Sequence, residues 1–104
     1  MIKTFQMENK ATVQSKLNIE FRSGQLLVEH QIESDYFDDD ISIFLSFNKI
    51  ESKKLFEYYE TFSKDELVDK FFQHFTTYKS LKIFQQFFDM REINSLLSES
   101  HLID

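Results

Sequence analysis

The chain predicts an α+β fold: an N-terminal antiparallel β-meander of 3-4 strands, followed by 3-4 helices packed on one sheet face. Two observations carry this. Apolar residues recur with a period of two up to residue 47, and with helical spacing from residue 49 onward. A third supports it: strands first and helices after is the order in which helices cover one side of an antiparallel sheet.

The central hairpin is the clearest element. Val13, Ser15, Leu17, Ile19 and Phe21 alternate with Gln14, Lys16, Asn18 and Glu20, the pattern of a half-buried strand. The only glycine, Gly24, then falls at a tight-turn position. With Ser23-Gly24 as a two-residue turn, Phe21 faces Leu26, Ile19 faces Val28, Leu17 faces His30 and Ser15 faces Ile32. A slip of one residue would turn every apolar side chain to the wrong side. Residues 41–47 form the next strand, with Ile41, Ile43, Leu45 and Phe47 inward and Ser42, Phe44 and Ser46 outward. Residues 2–7 add a fourth strand.

Asn48…Glu51 and Ser63…Glu66 have capping-box spacing. They predict one helix over 49–61, with Leu55, Tyr58, Tyr59 and Phe62 as its stripe, and a second over 64–78. A third helix starts near Ser80 with Leu81, Ile83, Phe84, Phe87 and Phe88. Residues 91–98 read either as a short fourth helix carrying Ile93, Leu96 and Leu97 or as a continuation of the third.

Length and composition bound the rest. The 104 residues fit a single domain spanning 1–104. Thirteen Phe and four Tyr supply core material, and the absence of Pro argues against a linker. There is no cysteine, so disulfide and thiolate chemistry have no residues to use. No apolar run approaches the roughly 20 residues of a membrane helix, and the first residues lack the apolar core of a signal peptide. The expected location is cytoplasmic. The preference for Lys, Ile, Asn and Phe over Ala, Gly and Pro matches AT-rich codons, as in a low-GC bacterium, a phage or a mobile element.

The net charge is −6. It sits in one segment: between residues 23 and 48 lie Glu29, Glu33, Asp35, Asp38, Asp39 and Asp40 with no Lys or Arg, while elsewhere 12 acids balance 12 bases. Direct nucleic-acid binding needs the opposite sign.

Catalytic patterns are sparse. His30 sits on the inward hairpin face among apolar residues, which suits a buried neutral imidazole. His74 and His101 have no partner at helical metal spacing. The bunched acids of the loop after residue 34 lack the glycine and spacing of a calcium loop. Asp40 with Glu51 and Lys53 imitates a metal-nuclease pattern, but that chemistry needs Glu51 on a strand beside the aspartate, and Glu51 begins a helix. No catalytic residue, metal or cofactor is expected.

Two features remain. Tyr36 and Phe37 are flanked by aspartates, an aromatic anchor ringed by charge. Leu27 and Phe44 face outward from the sheet. The expected function is therefore a small acidic protein-binding module, an inhibitor, immunity or accessory protein that occludes a basic surface of its target, in the limit as a mimic of DNA phosphates. The expected partner-binding residues are Glu29, Glu33, Asp35, Tyr36, Phe37, Asp38, Asp39 and Asp40, placed at the edge of the sheet. A homodimer using the outer sheet face or the Phe-rich helices is the alternative, and a small metal-dependent hydrolase or nuclease the second.

Overall fold

A computed structural model describes residues 1–9, 13–34 and 39–103. The element order is β1 (Ile2–Asn9), β2 (Val13–Arg22), β3 (Gln25–Ser34), β4 (Asp39–Phe47), α1 (Lys49–Tyr58), α2 (Lys64–Tyr78), α3 (Leu81–Asp89) and β5 (Leu96–Ile103). All neighbouring strands are antiparallel and the sheet order follows the chain, β1-β2-β3-β4-β5. The α+β class is as expected.

The β2–β3 register has all four expected pairs, from Phe21↔Leu26 to Ser15↔Ile32. Ser23 (φ 53°) and Gly24 (φ 80°) both adopt left-handed conformations, the requirement of the type I′ turn that matches strand twist. Helix starts also follow the sequence. The side chains of Asn48, Ser63 and Ser80 accept hydrogen bonds from the backbone N–H groups of Glu51, Glu66 and Ile83, satisfying donors that no helical carbonyl reaches.

The inward sheet residues Leu17, Ile19, Leu26, Leu45 and Phe47 meet Leu55, Leu67, Phe71, Phe75, Phe84 and Phe88 of the helices, all fully buried. Each buried Phe contributes about 1.5–3 kcal/mol relative to exposure. The Phe47 ring meets Phe71 and Phe88 edge-on at 6.0 and 5.6 Å. Ser52 pins the layers together: its Oγ accepts from Leu26 N at 3.1 Å and donates to Phe47 O at 3.0 Å. The adjacent Phe pairs are absorbed within the chain, since Phe72 stacks on Phe5 of β1 at 4.0 Å and Phe87 lies under the Arg91 guanidinium at 3.6 Å.

Two expectations are corrected. Residues 91–98 are not a helix: the chain turns through 90–92 and Leu96 opens β5, which pairs with β4 from Ser46↔Leu96 to Asp39↔Ile103. The unfilled edge of β4 offers a ladder of backbone groups, and satisfying these outweighs the weak helical pattern of three apolar residues. The first helix stops at Tyr58 because Glu60 turns left-handed (φ 52°). Phe62 therefore lies outside the core and is fully exposed, at 102%.

Candidate protein-docking face

All three helices pack on one side of the sheet. Its other side carries no helix among the described residues, and alternation sets what it displays. Ile2, Thr4 and Gln6 of β1 stand beside Lys16, Asn18 and Glu20 of β2, then Leu27, Glu29, Gln31 and Glu33 of β3. Asp40, Ser42, Phe44 and Ser46 follow on β4, and Leu96, Ser98 and Ser100 on β5.

This open face is graded along the strands. At the end nearest the Ser23-Gly24 turn, a hollow of about 400 Å³ is lined by Ile2, Leu27 and Phe44 together with Asn18, Glu20, Glu29 and Ser46. Ile2 is 66% exposed and Phe44 37%. Toward the other end the lining becomes polar, with Gln6, Gln14, Lys16, Gln31 and Glu33 around a second hollow of about 200 Å³. A hydrogen-bonded row crosses three strands between them. Thr4 Oγ1 donates to Asn18 Oδ1 at 2.8 Å, and Asn18 Nδ2 donates to Glu29 Oε1 at 3.1 Å. The row draws the Glu29 carboxylate toward β2, while the Glu29 backbone position pairs with Phe44 of β4 on the other side.

The sequence-derived residues divide accordingly. Glu29, Glu33 and Asp40 share the open face with Leu27 and Phe44. Asp39 opens β4, its backbone paired with Ile103. Asp35, Tyr36, Phe37 and Asp38 lie outside the described residues. The expected position at the sheet's edge needs correcting, because β3 and β4 are inner strands with β5 beyond them. The acids of β3 and β4 lie along the middle of the sheet, not on its lateral edge.

The nuclease-like pattern does not converge. Asp40 is near the start of β4 while α1 follows its far end, a separation of roughly 20 Å along the strand. Glu51 is buried, with its carboxylate accepting from Lys54 Nζ at 3.1 Å and from Asn94 N at 2.9 Å. Among the described residues no cluster of three or more His, Asp or Glu is placed to hold a metal ion. His30 is buried with its ring edge-on to Phe75 at 5.5 Å.

Sequence reasoning missed a second concentration on the helices. His74 sits among Tyr58, Tyr59, Tyr78, Phe84 and Phe87, with ring centroids 4.7–6.1 Å away. Its Nδ1 is 2.8 Å from the Tyr59 hydroxyl. Burial, and then the Arg91 charge, lower the His74 pKa. Burial, and then Tyr58 and Tyr78, push the Tyr59 pKa far up. The Tyr59–His74 hydrogen bond joins the end of α1 to the middle of α2. The i, i+4 spacing of His74 and Tyr78 was legible, but nothing in the sequence shows that α1 brings Tyr58 and Tyr59 against them.

The fold and face define an α+β domain with helices on one side of an antiparallel sheet and the other side open. No helix among the described residues is long and apolar enough to cross a membrane. Comparison with protein families, curated proteins and solved structures finds no match.

Proposed function

We propose that the protein is a binding module that lays its open sheet face on a protein partner and acts by occluding a basic surface there. One observation carries this reading: on a face left uncovered by the described residues, Ile2, Leu27 and Phe44 form an apolar hollow beside the carboxylates of Glu20 and Glu29. An exposed sheet face ordinarily alternates to polar residues. A half-exposed Phe beside a fixed carboxylate instead has the composition of an interface anchor with a charged surround.

Charge selects the occupant. Glu29, Glu33 and Asp40 share this face, and Glu20 is partly offset by Arg22 at 3.3 Å. An apolar projection surrounded by Lys or Arg is complementary to it. Two copies placed face to face would oppose like charges. Occlusion of a basic surface is the working mode of inhibitor and immunity proteins, and such a surface on a nucleic-acid enzyme would make the carboxylates stand in for phosphates.

Immobilised protein tests this in three forms: unaltered, with Phe44→Lys, and with Glu29→Gln, Glu33→Gln and Asp40→Asn combined. The expected result is one specific partner that salt elutes from the unaltered protein and that binds each variant at least about tenfold more weakly, a change of roughly 1.4 kcal/mol. A partner held equally by all three forms rules out the open face as the docking site.

A further inference from the structure

We infer that β5 is a self-pairing edge, and that two copies of the chain join along it into one continuous sheet. The two lateral edges of the sheet differ. β1 is guarded by Lys3, held by Asp65 and Asp69 of α2 at 2.7 and 3.0 Å, and by a register shift between Gln6 and Glu8. Such charges and bulges keep an edge from pairing with another chain. β5 has no bulge; like β1 it carries one charged residue turned to the helical layer, Glu99, bridged to Lys82 of α3 at 3.7 Å. The eight residues of β5 include no Lys, Arg or Pro, and it runs against β4 with no break in register. Ser98, Glu99 and Ser100 are exposed and Leu96 is 77% exposed. Beyond β5 no further strand follows among the described residues.

Geometry limits the occupant's register. A two-fold axis perpendicular to the sheet keeps each side chain on its own side, so the axis must pass through a residue and not between two. Axes at Glu99 and at Ser100 each allow seven paired positions within Leu96–Ile103. The first sets two Glu99 carboxylates directly opposite one another, which destabilises a pair. The second places Glu99 opposite the position of His101 in the other copy, and Leu97 opposite Ile103. Charge therefore selects Ser100 as the residue on the axis. The same symmetry leaves both open faces on one side of the dimer. This inference stands whether or not that face binds a partner.

Sedimentation across a dilution series should give twice the 12.6 kDa chain mass, falling to half for Ser100→Lys with circular dichroism unchanged. The chain has no cysteine, so single Cys variants report the register cleanly. Ser100→Cys should form an interchain disulfide on mild oxidation, and Ser98→Cys, which keeps the Glu99 carboxylate, should do so about tenfold more slowly, because only the residue on the axis faces its own copy at bonding distance. A monomeric unaltered protein overturns the inference. So does cross-linking of Ser98→Cys as fast as Ser100→Cys, or a dimer broken by Phe44→Lys and kept by Ser100→Lys.

Discussion

The Glu51 carboxylate accepts a hydrogen bond from the backbone N–H of Asn94 at 2.9 Å, across 43 positions of sequence. It joins the first turn of α1 to the segment that leads into β5. Lys54 completes the link, donating to Glu51 Oε1 at 3.1 Å and to the Glu92 carbonyl at 2.9 Å. The fifth strand is therefore tied to the start of the helical layer as well as to β4. Removing the acceptor leaves a partly buried N–H and an ammonium without it, and an unmet buried group costs about 1–3 kcal/mol. Glu51→Ala should lower stability by that amount in urea unfolding and speed amide exchange in β5 more than in β2. Glu51→Gln keeps an acceptor oxygen and should lose less. Equal exchange in β5 of Glu51→Ala and of the unaltered protein would show that Glu51 does not seat the strand.

That same residue shows where the sequence was legible and where it was not. Its position three residues after Asn48 marked a helix start, and the Asn48 side chain does accept from Glu51 N. The carboxylate's turn toward Asn94 depends on a contact between distant segments, which spacing alone cannot disclose. The β2–β3 register was legible because a period of two and a single glycine allow only one alignment. β5 was not. Ile93, Leu96 and Leu97 fall at i, i+3 and i+4, as a helix would have them, and only the vacant edge of β4 decides otherwise. The acidic face was half legible: alternation put Glu29 and Glu33 opposite the core residues, but placing them beside Phe44 and Ile2 needed the order of strands.

The ends of the helices explain why their stops were hard to read. Glu60, Lys79 and Glu92 all have left-handed backbones, with φ of 52°, 57° and 60°. After α1 the N–H groups of Glu60 and Thr61 donate to Glu57 and Phe56, and after α3 those of Glu92 and Ile93 donate to Asp89 and Phe88. Both are Schellman endings, where glycine is the usual residue. With its only glycine in the hairpin, the chain strains side-chain-bearing residues instead, at roughly 1 kcal/mol each. Glu60→Gly and Glu92→Gly should each stabilise the fold by up to about 0.5 kcal/mol, the part of the relief left after the greater freedom of glycine in the unfolded chain. The urea midpoint should rise with an unchanged slope. A fall in midpoint for both would mean that the left-handed turns carry no strain.

His74 gives the fold a dependence on acid. Its pKa in the folded chain lies below the ordinary 6.5, chiefly through burial and secondarily through Arg91, so the folded state resists the proton that the unfolded state accepts. Above pH 6.5 both states hold a neutral imidazole and the full stability is present. As the pH falls below that value the unfolded chain binds the proton first, and stability drains until the pH has passed the lowered folded value. His74→Gln retains an acceptor for the Tyr59 hydroxyl and removes the titration. Melting temperatures measured from pH 7.5 down to 5 should therefore decline more steeply in the unaltered protein than in His74→Gln. Other titrating groups contribute equally to both curves, so the difference between them belongs to His74. Parallel curves would show that its aromatic surroundings leave the proton equilibrium unchanged.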